Sequence, residues 1–559
     1  MIFEDEHLLV VNKPAGLNTH APAPFAGEGL YDWLRHREPR WATLAIIHRL
    51  DKDTSGVLVL AKTPLANRSL TDQFAQRQVR KKYRLLTDRP VPPETLCVVS
   101  ALVRSGPRYL SRPLHAGGDR AETRFQAGAP QAPGRWSVAA QPLTGRTHQI
   151  RVHAAERGFP ILGDPLYGGT PAPRLCLHAA ELALCHPQTG REMVFAAPAD
   201  FDADPHSALR AALIDPAETD AFRLLHGAAD GVAGWYVDRL GPCLLSQGNN
   251  ESLEEMRRQF EGSSLGSLLQ QREPYGPGRR DAGPTLRPIE SPLTGVESVY
   301  HKTLTRHVRY SQVGDASPQH LLGAATPAPF VIREHGIAFE LSFSEGYSVG
   351  LFLDQRDNRR RLLTGHIAAG FPLIRPLAGE RPAAIQPEVL NTFAYTCGFS
   401  VCAARGGART TSLDLSKKYL EWGRRNFARN GLDPAAHDFI YGDVFDWLRR
   451  LAKKGRAFDA VLLDPPTCAQ SKQSGLFRVE QDFRRLVTAA LPLLKPEGVL
   501  FASTNSREWR PEAFLAAVHA AVAQAGRPVA QEHYVPQPPD FPVTREEPAY
   551  LKTVWLRVG

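Results

Sequence analysis

The sequence contains no Cys-x-x-Cys pair, and its cysteines (Cys97, Cys176, Cys185, Cys243, Cys397, Cys402 and Cys468) are odd in number. That speaks against a disulfide framework and against a thiolate zinc site. Reduced thiols in a cytoplasm are the simplest reading. No stretch approaches the roughly 20 apolar residues a membrane span requires. The opening Met1-Ile2-Phe3-Glu4-Asp5-Glu6 is acidic and only briefly apolar, unlike a signal peptide. What remains is an ordinary globular composition, 43% hydrophobic and 22% charged over 559 residues. That is enough apolar mass for several cores, and the length suggests roughly three or four domains. A formal net charge of +9 and a pI of 9.2 fit a polyanion such as RNA or DNA without requiring one.

Within the first 200 residues, the polar block His48-Arg49-Leu50-Asp51-Lys52-Asp53-Thr54-Ser55-Gly56 lies between two β-prone runs, Leu44–Ile47 and Val57–Ala61. It reads as a loop between strands, and a rigid loop is where a catalytic carboxylate is placed. Taken alone, Asp51 fits better as a turn residue bonding nearby amides. His7–Asn12 is a strand candidate. Leu65–Gln78 has helical spacing, with Leu65, Leu70 and Phe74 on one side. The cations of Arg77–Arg84 surround Tyr83. They serve either as a solvated helix end or as phosphate contacts beside a stacking aromatic. Downstream, Gly145 turns into a run in which His148, Arg151 and Val152 can share a helical face. Pro160–Gly168 is turn-rich.

Together, Asn12-Lys13-Pro14-Ala15-Gly16, His48–Gly56, Lys82-Tyr83, Gly145–His153 and Gly163-Asp164-Pro165-Leu166-Tyr167-Gly168 closely resemble the RluA type of RNA pseudouridine synthase. The resemblance implies a mixed-sheet catalytic domain over residues 1–200, with no S4-like RNA-binding domain before the Lys-Pro-Ala-Gly motif. It implies that Asp51 acts as nucleophile or base at the sugar, with Arg151 as its guanidinium partner, able to pair bidentately. Tyr83 would be the active-site aromatic that stacks on the base. His48, Arg49, Arg146 and His148 would contact RNA, although His48 fits a structural role equally well. Breaking the C1′–N1 bond and rejoining the base through C5 needs no metal and no redox cofactor, and the uridine must be flipped from its stack.

Residues 201–347 read as an Asp-, Ala- and Pro-rich connector followed by a small α/β unit, with an alternating strand at Ala338–Phe343. Glu273–Pro292, dense in Gly, Pro and Arg, reads as a long exposed loop. The Leu225-His226-Gly227, Asp230-Gly231 and Val237-Asp238-Arg239 segments resemble the small domain that precedes the catalytic domain in RlmI- and RlmK-type rRNA methyltransferases. That resemblance implies a substrate-positioning role.

From Gly350 onward a basic helix is expected, and then strand and helix alternate. Acids close three strands at Asp414, Asp443 and Asp464, and a helix is expected from there to Leu494. Such alternation implies a doubly wound, Rossmann-like sheet over residues 348–559, with its ligand at the carboxyl ends of the strands. Asp414 suits ribose hydroxyls and Asp443 an adenine amino group. Asn391-x-Phe393-x-Tyr395-Thr396, Leu413–Ser416, Asp464-Pro465-Pro466-Thr467 and Ser503-Thr504-Asn505 resemble class I S-adenosylmethionine-dependent methyltransferases. This implies a cofactor site of Asn391, Phe393, Tyr395, Thr396, Asp414, Asp443 and Asp464. It also implies an acceptor site of Asp464, Pro465, Pro466 and Asn505. Relatives carry Gly where Cys397 stands, so a narrowed cofactor loop is an expectation. Cytosine-C5 methylation needs a Cys nucleophile. Cys468 stands one residue too far from the proline pair and reads as a small pocket residue, which favours a nitrogen target.

The leading reading is a bifunctional RNA modification enzyme that makes pseudouridine in rRNA or tRNA and methylates an RNA base. One alternative leaves a single catalytic half with the other as an RNA-binding platform. A second has Cys468 methylating cytosine C5. A small-molecule or protein methyltransferase would leave the first 200 residues unexplained.

Overall fold

The computed structural model describes all residues except 133, 250–251, 264, 267–293, 305–315, 376–385, 472 and 474. The expected loop at Glu273–Pro292 lies outside the described residues. Two compact units emerge. One comprises Met1–Pro22 and Glu28–Ala212, the other Ala23–Gly27 and Leu213–Gly559. Among the described residues no helix is long and apolar enough to cross a membrane.

The first unit is built on an eleven-stranded mixed sheet. Its main path runs Phe3–Glu4, Leu8–Lys13, Ser55–Ala61, Leu177–Cys185, Arg80–Thr87, Arg135–Pro142, Asp119–Ala132, Leu96–Ser105, Arg108–Arg112. Ser55–Ala61 and Leu177–Cys185 pair in parallel and their other neighbours antiparallel. Ser55–Ala61 is buried at every position, as its near-continuous apolar sequence requires. The expected helix after it spans Pro64–Ala75. Thr63 caps it by accepting from Ala66 N–H at 3.2 Å, and Pro64 opens it. Leu65, expected on the apolar side, is 50% exposed; Ala66 and Leu70 carry the packing.

In the second unit, five strands (Ala221–His226, Tyr236–Leu240, Cys243–Gly248, Ser298–Thr303 and Gln319–Gly323) form one sheet. A hairpin of Phe330–Glu334 with Ile337–Leu341 follows. The seven-stranded sheet runs Asp438–Tyr441, Arg409–Asp414, Glu388–Thr392, Phe458–Leu463, Leu494–Thr504, Lys552–Val558, Val529–Val535. Its first five strands are parallel, and Lys552–Val558 pairs antiparallel both with Leu494–Thr504 and with Val529–Val535. One apolar core joins Leu245 and Tyr300 to Phe339, Val389, Leu462, Phe501 and Trp555, so the smaller sheet and the large one are stabilised together.

One local expectation differs. The helix expected after Pro466 starts only at Val479, because a hairpin of Cys468–Ser471 with Gly475–Arg478 intervenes. The expected basic helix spans Arg356–Thr364, and Arg356, Arg359 and Arg361 on it are buried. Arg356 is buried in a two-point pair with Asp540 (2.8 and 2.5 Å), and Arg359 in one with Glu334 (2.7 and 2.6 Å).

Candidate active sites

The main chain around Asp51 is fixed before its side chain enters. Buried Lys13 donates to the carbonyls of Pro14 (2.9 Å), Leu17 (2.7 Å) and Lys52 (2.9 Å). Burial pushes this ammonium down to about 7, against the pull of Asp53 and Asp51, and the three carbonyls use all three of its protons. Thr19 Oγ1 donates to Leu50 O at 2.8 Å and accepts from Leu50 N–H at 3.1 Å. Thr54 N–H closes the turn on Asp51 O at 3.2 Å. The Asp51 side chain stays 29% exposed.

Sheet register brings Tyr83 to this loop. Gly56 has φ +120°, and any Cβ there would overlap the Ala179 backbone. That close approach sets Gly56 opposite Ala179, which in turn faces Tyr83 on the next strand. Two strand spacings, about 10 Å, separate Gly56 from Tyr83. Burial raises the Tyr83 hydroxyl pKa, and the Asp51 carboxylate raises it further.

Arg151 projects from helix Gln149–Glu156 and places Nη1 3.6 Å from Asp51 Oδ2. Its two-point contact is with another acid. Nε and Nη2 donate to Asp164 Oδ2 and Oδ1 at 2.7 and 2.8 Å. Asp164 has no exposure and needs a full partner, whereas Asp51 is reached by water. The expected bidentate Arg151–Asp51 pair is therefore a single-ended contact, and Asp164, given no role by sequence reading, orients the guanidinium. Its position in Gly163-Asp164-Pro165 was the available signal, but an Asp before Pro reads as turn chemistry.

His148 stands just outside the helix, at φ +56°, rather than on its face. Its Nδ1 lies 2.8 Å from Tyr167 Oη and its Nε2 3.9 Å from Asp51 Oδ2. His48 is engaged internally. It accepts from Val59 N–H at 3.1 Å and stacks on Phe74 at 4.9 Å, and burial pushes it down to about 3. Arg49 is exposed. Arg146 is also exposed and lies 3.5 Å from Asp119.

In Asp164→Asn the buried Arg151 fork loses its charged partner. The expected cost is about 3–5 kcal/mol, which chemical denaturation checks.

In the second unit, a 410 Å³ cavity opens at the carboxyl ends of the parallel strands. Asp414, Asp443 and Asp464 all line it, with Phe393, Tyr395, Thr396, Pro465, Pro466 and Asn505. Asp414 accepts from Tyr395 N–H and Ser416 N–H, both at 2.8 Å; burial raises its pKa and these bonds oppose the rise. Asp443 caps helix Val444–Lys453 by accepting from Asp446 N–H at 3.1 Å. Burial pushes Asp464 up to about 6, opposed by bonds from Ser503 and Gln355. Asn391 is not among the lining residues; its Nδ2 donates to Ser400 Oγ at 2.9 Å. Carboxylates at the second and third strand ends suit the hydroxyl and amino donors of a nucleoside, and Phe445 and Val444 supply apolar wall.

The RNA pseudouridylate synthase family matches residues 7–156, and the S-adenosylmethionine-dependent methyltransferase family matches residues 298–557. The dual-specificity RNA pseudouridine synthase RluA of Escherichia coli is 37% identical over 207 residues, covering 36% of this chain and 93% of that protein. A ribosomal RNA large subunit methyltransferase of Deinococcus radiodurans is 32% identical over 365 residues, covering 64% of this chain and 78% of that protein. The chain belongs to both families. A crystal structure of a methyltransferase complexed with SAH shares the fold of the second unit, with TM-score 0.50 at 24% identity, over 67% of this chain and 87% of that one. One polypeptide thus combines a pseudouridine synthase and an S-adenosylmethionine-dependent methyltransferase.

Two cysteines bear on the methyltransferase. Phe393, Tyr395 and Cys397 all have positive φ (54°, 51° and 62°), which is why a glycine suits position 397. The Cys397 side chain does not narrow the cavity. It is absent from the lining and packs on Gly423 of helix Lys417–Arg429, where an added Cβ would overlap its sulfur. Gly423→Ala should therefore cost about 1–3 kcal/mol by overpacking, although Gly→Ala in a helix otherwise stabilises. Cys397→Gly should restore the loss and leave S-adenosylmethionine affinity within about threefold. Melting curves of the single and double variants decide. Cys468 is also absent from the lining, although its neighbours Thr467 and Ala469 are part of it.

Proposed function

We propose that this enzyme modifies ribosomal RNA at two positions, isomerising one uridine and methylating a nitrogen of another base. Two carboxylate sites of different construction carry this reading. Asp51 stands beside Arg151 in one unit. Asp464, with Pro465, Pro466 and Asn505, lines a cavity in the other that has no cysteine among its described lining residues. The names of the relatives support RNA as substrate, and the methyltransferase relative's name supports rRNA.

In the synthase half, Asp51 attacks or deprotonates at the flipped uridine's sugar, and Arg151 stabilises its charge while Asp164 holds the guanidinium. Tyr83 stacks on the base, and Arg49, Arg146 and His148 contact the RNA; no metal or redox cofactor takes part. In the methyltransferase half, Asp414 holds ribose hydroxyls, Asp443 the adenine amino group, and Phe393, Tyr395 and Thr396 shape the loop around the cofactor. S-adenosylmethionine supplies an electrophilic methyl group when bound. Asp464 and the carbonyls of the proline pair orient the accepting nitrogen. A cysteine adduct, which C5 methylation requires, has no sulfur to form it at this wall. Residues 201–347 act as connector and substrate-positioning domain, and the enzyme works in the cytoplasm.

Nucleoside mass spectrometry of rRNA and tRNA from a deletion strain tests the reading. One pseudouridine and one methylated base should vanish from rRNA; loss of neither refutes it. Calorimetry should detect S-adenosylmethionine binding, and none at high micromolar concentration sinks the methyltransferase half.

A further inference from the structure

Asp464 stands at the end of a chain of amides that begins in the core. Trp555 has no exposure and donates its indole N–H to Asn358 Oδ1 at 2.9 Å. An indole nitrogen can only donate, so Asn358 must turn its carbonyl to Trp555 and its amino group away. Asn358 Nδ2 accordingly donates to Gln355 Oε1 at 2.8 Å, with a longer contact of 3.4 Å to Thr553 Oγ1. The same constraint passes to Gln355. Its carbonyl is taken, so its amino group points to Asp464 Oδ1 at 3.1 Å and Ser503 Oγ at 2.8 Å. Ser503 also hydrogen-bonds Asp464. Gln355 and Asn358 are 3% and 2% exposed, so water does not compete along the chain. A donor-only group in the core thus determines which end of an amide meets the carboxylate at the cavity.

We propose that Gln355, directed by Asn358 and Trp555, is a positioning residue for methyl transfer that holds Asp464 as a charged hydrogen-bond acceptor for the incoming base. The proposal rests on the role given to Asp464 above. A carboxylate has about four acceptor positions, so these bonds leave room for an N–H of the base. Two other charged groups bear on Asp464. Asp354, which accepts from Tyr550 Oη at 3.0 Å, disfavours its charge; Arg359, whose fork is committed to Glu334, favours it. Burial works against the charged form, and Gln355 works for it.

The test measures methyl transfer by the full-length chain to total rRNA from the deletion strain, across pH. In Gln355→Leu, kcat at neutral pH should fall about 10–100-fold. The KM for S-adenosylmethionine should stay within threefold or so, and the acidic limb of kcat should move up by about one pH unit. Raising the pH should recover part of the rate. Gln355→Met, which keeps the chain length, should behave alike and guards against misfolding. Asn358→Leu, which is not among the cavity's lining residues, should shift the limb in the same direction. Variants that bind S-adenosylmethionine normally but leave the acidic limb in place overturn the proposal. Full activity of Asp464→Asn would instead overturn the underlying role of Asp464, so the two failures are distinguishable.

Discussion

Replacing Asp51 by Asn should abolish one pseudouridine in cellular rRNA while leaving the methyl mark untouched. The expected loss is about four orders of magnitude or more, the scale on which removal of a nucleophile or its base is felt elsewhere. The geometry makes this variant informative. Arg151 keeps its two-point pair with Asp164, at 2.7 and 2.8 Å, so no buried cation is stranded. The Arg151–Asp51 ion pair that the substitution removes is single-ended, 3.6 Å long and partly exposed. Such a pair is worth at most about 1 kcal/mol, so the variant should unfold close to wild type. Activity and stability therefore separate at Asp51, whereas stability falls at Asp164, and that contrast distinguishes a reacting carboxylate from an orienting one. Nucleoside mass spectrometry of rRNA from the complemented deletion strain reads the first effect and denaturant titration the second. Persistence of the pseudouridine in the Asp51 variant would remove Asp51 from the chemistry.

Much of this was legible in the chain itself, where signals were local. The Asp51 loop was marked by turn residues between β-prone runs, and the Rossmann-like half by its alternation and the acids at its strand ends. What escaped was set by contacts distant in sequence. Nothing local tells that Asp164, rather than Asp51, takes the Arg151 fork, because that depends on which acid is buried. Nothing local tells that Cys397 is accommodated by Gly423, because the match is one of volume across two elements. Asn391 looked like a ligand by its motif, but its side chain bonds Ser400, off the cavity. The hairpin of Cys468–Ser471 with Gly475–Arg478 is not legible in the sequence, because four-residue strands carry too little pattern to outweigh helical composition downstream. The basic composition of helix Arg356–Thr364 does not tell which of its arginines are buried. Arg356 and Arg359 are buried because Asp540 and Glu334, distant in sequence, pair with them.

The corresponding change in the other unit, Asp464→Asn, should lose methyl transfer by about 10²–10⁴-fold and leave pseudouridine formation intact. S-adenosylmethionine binding should weaken but persist, since Asp414 and Asp443 line the same cavity at separate strand ends. The pH behaviour makes the prediction sharper. On the role proposed for Asp464, transfer uses the charged carboxylate, so its rate should fall as pH drops through about 6, the value to which burial pushes Asp464. The residual rate of the variant should lack that limb. Linkage gives an independent readout of opposite sign. The folded value, about 6, lies above the ordinary 3.8, so between these values the folded state holds a proton that the unfolded chain has released. Asp464 therefore costs stability as pH rises through that window, and the cost persists at neutral pH. Asp464→Asn removes it. Denaturant titrations at pH 4 and pH 7.5 should show the variant gaining on wild type at the higher pH. A variant that loses both activity and stability at neutral pH would instead mark Asp464 as a structural carboxylate. A gain in stability with loss of transfer is what a carboxylate kept charged against its burial, for the sake of the accepting base, must give.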